Sequence, residues 1–167
     1  FILEDPLYDL DYMKPNWFKI YILDVLEANN IKYDQVCYVD ADTIATPNAP
    51  NIFDFTENKF CAVKNHGCMD WVNRSIENYS KHVFDGFMFP FYKYFNSGLM
   101  VFNKKHKPLF KDIQNFYKEK VNDLQYMQNT FCVGNDQPVL NFFVNKNLPK
   151  DYKTLGYEWN MQDMTRF

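Results

Sequence analysis

Several function classes are excluded by what this sequence lacks. No stretch approaches the length of a transmembrane helix, so no membrane segment is expected within it. No secretory leader is visible at the amino end. Positive charge is not in excess: 18 Lys and Arg stand against 21 Asp and Glu, a formal net charge of −3. Bulk electrostatics therefore do not draw nucleic acid to the chain. The four cysteines, at 37, 61, 68 and 132, form no Cys-x-x-Cys pair. Neither a zinc site nor a disulfide framework follows from that spacing, and a reducing, cytoplasmic compartment is mildly favoured. Cys37 and Cys61 lie in apolar runs and read as buried small hydrophobes. There is no internal repeat and no linker, so a single domain over 1–167 is expected. The chain opens on Phe1 rather than methionine, which reads as a fragment or a processed product.

What is present is ordinary for a globular fold, with one exception. Hydrophobic residues make up 47% and charged residues 23%, and 167 residues suffice for a sizeable core. Aromatics reach 19%. That surplus fits an aromatic core, a sugar-stacking surface, or codon usage in an AT-rich genome.

Residues 1–15 carry Pro6 and Pro15 as breakers. Asn16 then reads as a helix N-cap, with Trp17, Ile20, Leu23, Val25 and Leu26 at helical spacing up to Asn29-Asn30. Val36-Cys37-Tyr38-Val39 reads as a short buried strand that stops at Asp40. Ile52, Phe53 and Phe55 fit a short helix or turn, and Phe60 to Val63 a second strand. Residues 65–95 are the least regular part and read as a long loop. Leu99 to Phe102 reads as a third strand, and Pro108 opens a helix to about Val121. A last helix is expected over Asp136 to Asn145, followed by an extended stretch at Tyr152 to Leu155. His66 and His82 fall in the irregular part; His106 lies in a Lys-rich turn where exposure is expected. Alternating strands and helices imply an α/β domain with a mostly parallel central sheet flanked by helices.

In open α/β sheets ligands bind outside the carboxyl ends of the strands. Asp40 and Asp42 stand at such an end. Two carboxylates one residue apart can turn to one side and make a hard oxygen site for Mn²⁺ or Mg²⁺. A cation there would neutralise a departing diphosphate. The bland reading is that one Asp caps the turn and the other is solvated. The pair alone does not decide between them.

Four blocks in order resemble the glycogenin-like family of retaining glycosyltransferases (the family eight type, of GT-A fold). They are Trp17-Phe18-Lys19-Ile20-Tyr21, Tyr38-Val39-Asp40-Ala41-Asp42-Thr43, Tyr94-Phe95-Asn96-Ser97-Gly98-Leu99-Met100-Val101-Phe102, and Asn135-Asp136-Gln137-Pro138-Val139-Leu140-Asn141. Leu155 to Gln162 is a weaker fifth match. The resemblance implies transfer of a sugar from a nucleotide-diphosphate donor, a UDP-sugar, to a carbohydrate or protein hydroxyl acceptor, with retention. It implies Asp40 and Asp42 as metal ligands, Gln137 and Asp136 at the reaction centre, and Lys19, Ala41, Asn96, Ser97 and Gly98 against the donor. Lys14 competes with Lys19 for the diphosphate. The residues have readings of their own. Gly98 allows close backbone approach and Asn96 offers both donor and acceptor, although a simple turn would also explain them. Asp136 is a plausible helix N-cap.

The chain also departs from the family. Nothing matches its opening nucleotide-binding strands, and its later His-x-x-Gly-x-x-Lys-Pro-Trp segment, with the third metal ligand, does not occur before Phe167. A domain lacking both ends is therefore expected. Two other readings stay open: a haloacid-dehalogenase-like phosphatase, whose first motif is also a strand ending in Asp-x-Asp, and an inactive carbohydrate-binding remnant of a transferase. Oligomeric state is not legible.

Overall fold

The computed structural model of the chain describes residues 13–162; the expectation for residues 1–12 lies outside them. Pro15 opens the first helical element, a 3-10 helix over Pro15–Tyr21 that runs into α1 (Ile22–Ala28). Its N-cap is Lys14, not Asn16. Proline's fixed φ suits the first helical position, and its missing N–H would be an orphan there anyway. Asn16 is thus released from capping, and its amide turns to Asn135 and Asp136 at 2.5 and 2.7 Å.

Four strands follow: β1 (Gln35–Val39), β2 (Phe60–Lys64), β3 (Phe95–Asn103) and β4 (Tyr152–Leu155). They lie in the order β1-β3-β2-β4. β3 runs antiparallel to both β1 and β2, and only β2 and β4 pair in parallel. The sheet is mixed, and the expectation of a mostly parallel one is corrected. The cause lies in the 65–94 connection. It closes on itself where Asn65 N–H donates to the Tyr94 carbonyl at 2.9 Å. β3 therefore starts at the edge where β2 ends and runs back between β1 and β2. It also starts earlier than expected, so Asn96-Ser97-Gly98 lies inside the strand and not before it.

That connection is not a loop throughout. Met69–His82 forms α2, with Val72, Ser75, Ile76, Tyr79 and Ser80 buried at three- and four-residue spacing. Two of these five are serines, and Asn73, Arg74, Glu77 and Asn78 lie between them, which obscured the stripe. α3 (Lys107–Phe131) outruns its expected end because Leu124 and Met127 continue the buried face; it stops at Cys132, whose φ is +53°. α4 (Asp136–Asn147) matches expectation, with Asn135 as its N-cap rather than Asp136.

The helices bury one sheet face. Phe60, Phe95 and Phe102 of that face are fully buried, as are Trp17, Tyr79 and Phe142 from the helices. Phe84 lies flat on Phe142, centroids 4.3 Å apart, so part of the aromatic surplus is core. On the other face Cys61, Val63, Leu99, Val101 and Leu155 pack under Ile52 and Trp159. Ile52 begins the expected short 3-10 turn, Ile52–Phe55. The four cysteines are free; Cys61 is buried and Cys37 half-buried.

His106 is 1% exposed, not the solvated residue expected of its turn. Its Nδ1 accepts the Asn103 N–H at 3.1 Å, and its Nε2 lies 3.0 Å from Asp151 Oδ2. Nδ1 must then be unprotonated in the neutral ring, and Nε2–H donates to Asp151.

Candidate active site

Antiparallel pairing puts the carboxyl end of β1 beside the amino end of β3. Asp40 N–H donates to the Gly98 carbonyl at 2.8 Å, one step past the paired Val39 and Leu99. The two most distinctive sequence blocks, about 56 residues apart, thereby become neighbours. A cleft of about 600 Å³ opens at this edge, within the usual size of small-ligand sites. Lys19, Asp40, Ala41, Asp42, Asn96, Ser97, Gly98, Asp136 and Gln137 all line it. The structure thus gathers these nine nominated residues, and leaves out Lys14, the competitor of Lys19.

Gly98 is required by close approach. A Cβ there would stand 2.8 Å from Asn96 Oδ1 and 2.9 Å from Asp40 Oδ2. Asn96 Oδ1 also accepts the Gly98 N–H at 2.8 Å and the Asn160 amide at 3.2 Å. The opposite oxygen of Asp40 accepts the Tyr38 hydroxyl at 2.6 Å. Burial, then this bond and the charges of Asp40, Asp136 and Asp42, push the Tyr38 hydroxyl well above its ordinary range. Tyr38 therefore stays a proton-bearing donor to Asp40.

Lys19 is 4% exposed. Its Nζ lies 3.4 Å from Asp40 Oδ1 and 3.2 Å from Asp136 Oδ2, 3.3 Å from Ser97 Oγ and 5.2 Å from the Tyr38 ring centre. A buried ammonium needs such partners. Asp136 opens α4, where the helix dipole favours a carboxylate. Its Oδ1 accepts the Asn16 amide, and its Oδ2 accepts Ser97 Oγ–H at 3.4 Å. Gln137 Oε1 accepts the Ser97 N–H at 3.0 Å, which fixes the orientation of the amide. Among the described residues, the buried Ser75 Oγ and Tyr94 OH have no hydrogen-bond partner. Burial drives the Tyr94 hydroxyl far above its ordinary range, and the nearby Gln137 and Ser75 pull it only partly back.

The cleft holds the carboxylates of Asp40, Asp42 and Asp136 against the one ammonium of Lys19. That negative surplus suits a cation. Among the described residues no group of three His, Cys, Asp or Glu is placed to hold a metal. Asp40 and Asp42 would supply two carboxylates to Mg²⁺ or Mn²⁺, fewer ligands than either ion takes, so a bound substrate would have to supply others. Lys14 is exposed, donates to Gln125 Oε1 at 2.8 Å and does not line the cleft. His66 packs on Tyr157, and His82 stacks on Phe131; neither lines the cleft.

Pro15, Asn16, Tyr38, Trp71 and Gly134 also line the cleft without having been nominated. Tyr38 was within reach of sequence reasoning, because residues i and i+2 share a strand face and Asp40 follows two positions on. Trp71 was not, since its helix read as loop.

The fold and this cleft define an α/β domain with a carboxylate-rich binding site at the strand ends. Residues 2–166 match the family model for glycosyl transferase family 8, and the chain belongs to that family. No curated protein and no solved structure matches it. No helix among the described residues is long and apolar enough to cross a membrane.

Proposed function

We propose that this chain transfers a sugar from a nucleotide-diphosphate donor, a UDP-sugar, to a hydroxyl acceptor with retention, assisted by Mn²⁺ or Mg²⁺ at Asp40 and Asp42. Family membership supports glycosyl transfer and leaves the phosphatase alternative without support. The observation that carries the finer reading is the cluster of Asp40, Asp136 and Ser97 within 3.2–3.4 Å of the Lys19 ammonium. It ties the strand end that would hold the diphosphate to the helix start that would hold the sugar.

Bound between Asp40, Asp42 and the phosphates, the cation would supply charge neutralisation of the leaving group. Tyr38 orients one oxygen of Asp40, and Gly98 leaves room for the other. Lys19 holds Asp40 and Asp136 in fixed relation and adds positive charge beside the departing phosphate. Asp136, braced by Asn16 and Lys19, is a hydrogen-bond acceptor for sugar hydroxyls. The Ser97 N–H on its carbonyl oxygen turns the Gln137 NH₂ away from Ser97. We assign Asp136 and Gln137 to holding the sugar, and proton removal from the acceptor to the leaving phosphate on the same face.

Calorimetry of UDP with and without Mn²⁺ tests this directly. Binding that needs the metal is expected. Absence of metal-dependent binding would favour the inactive carbohydrate-binding remnant instead. The anomeric configuration of the first product, read by proton NMR, tests retention.

A further inference from the structure

We infer that Trp71 is the sugar-stacking platform of this cleft and sets which pyranose ring it accepts; the inference rests on the transferase reading above. Trp71 is the one tryptophan in the cleft wall. It is only partly exposed, and it packs onto the main core. Its benzo edge is held from two sides. A Cβ on Gly134 would come within 3.2 Å of Cζ2 and 3.4 Å of Cη2, so the Gly134 backbone lies flush against the ring. Behind it, the buried Tyr94 ring meets the indole edge-on, 87° between planes with centroids 6.1 Å apart. The support is itself fixed. Tyr79, two turns along α2 on the face of Trp71, donates its hydroxyl to the Gly134 carbonyl at 2.7 Å. Helix and turn are locked together beneath the indole.

Trp71 thus brings a braced aromatic ring to a cleft wall that Asp136 and Gln137 also line. Among the described residues the indole Nε1–H donates to no protein group. An aromatic body with one unused donor, next to a carboxylate and an oriented amide, suits a ligand with an apolar C–H face rimmed by hydroxyls. A pyranose is such a ligand and a phosphate is not; a nucleotide base could also stack on the ring, and then Trp71→Ala would weaken UDP itself, which would overturn the inference. Gly134 is part of the device, because any larger residue would push the ring.

The pyranose belongs either to the donor or to the acceptor, and kinetics separates the two. The probes are UDP-glucose and UDP-galactose, with water or a methyl hexoside as acceptor, and the full chain as wild type, Trp71→Phe and Trp71→Ala. If the ring stacks on the donor sugar, Trp71→Ala raises KM for the UDP-sugar about tenfold while kcat changes little. UDP affinity, measured by calorimetry, stays constant. If it stacks on the acceptor, KM rises for the hexoside alone and donor hydrolysis is unchanged. Trp71→Phe keeps an aromatic face, though without the Cζ2 and Cη2 atoms that meet Gly134, and recovers part of the loss in either case. Unaltered KM for both substrates in Trp71→Ala, with UDP still bound, overturns this inference and spares the transferase reading. Failure of the wild type to bind UDP with Mn²⁺ overturns both.

Discussion

At the scale of single residues the account depends on how tightly Asp40 is held. Gly98→Ala puts a methyl 2.9 Å from one Asp40 oxygen and 2.8 Å from Asn96 Oδ1. Both must shift by tenths of an ångström. Turnover should fall about tenfold or more, while unfolding free energy drops by only about 1 kcal/mol; kinetics and urea melts check the two together. Lys19→Met strips the ammonium from between Asp40 and Asp136. Removing one member of a buried pair costs about 3–5 kcal/mol. Asp40 is 39% exposed on its side chain, so water screens part of this and about 1–3 kcal/mol is expected. A variant as stable as the parent would show that the cluster does not hold the fold. Most of the site was legible at this scale because its blocks are short, local and ordered: Asp40 to Asp42, Asn96 to Gly98, Asp136 to Gln137. Lys19 was nominated, but its burial was not foreseen, since nothing in a helical run marks which Lys faces inward. Asn16 was misread because its capping chemistry is indistinguishable in sequence from its tertiary bond to Asp136.

At the scale of elements, β3 and α2 account for most of what the sequence hid. α2 was masked by its polar residues, and the direction of β3 is set by tertiary pairing with β1 and β2, begun at Asn65 and Tyr94, which no local pattern encodes. The turn after β3 carries a pH dependence. Burial lowers the His106 pKa below its ordinary value near 6.5, although Asp151 pulls it back in part. The unfolded chain therefore binds this proton more readily than the folded one. Its stabilisation is present above pH 6.5 and is lost as pH falls below that value. Burial of Asp151 would raise its pKa, but the hydrogen bonds from Lys105 and His106 outweigh that and leave it lowered. Its contribution persists to lower pH, lost only as pH falls from the ordinary carboxylate range through its folded value. His106→Phe leaves the Asn103 N–H without its acceptor, at a cost of about 1–3 kcal/mol. It should also flatten the slope of stability just below about pH 6.5. His66, lowered by burial and then by Lys64, retains a share of that slope. Thermal melts across pH of wild type and variant check both.

At the scale of the whole molecule, the mixed sheet explains why one edge carries the chemistry. β1, β2 and β4 end there and β3 begins there, and the cleft is lined by the residues that follow β1, the start of β3, Trp71 of α2 and the start of α4. Ligands that bind only the folded chain should stabilise it. At a hundredfold excess over Kd the gain is about 2.7 kcal/mol, or about 5–10 °C in Tm for a chain of this size. UDP with Mn²⁺ should produce that shift, and UDP without the metal should produce little of it. The most direct test of the account is the rate of sugar release or transfer from a UDP-hexose in Mn²⁺ by wild type and Asp42→Asn, alongside their melting curves. Asp42 is exposed, so the loss of one charge should leave the melt unchanged. The account predicts a rate about a hundredfold or more lower in the variant. An Asp42→Asn protein that turns over at the wild-type rate, or a wild type indifferent to the metal, would contradict it.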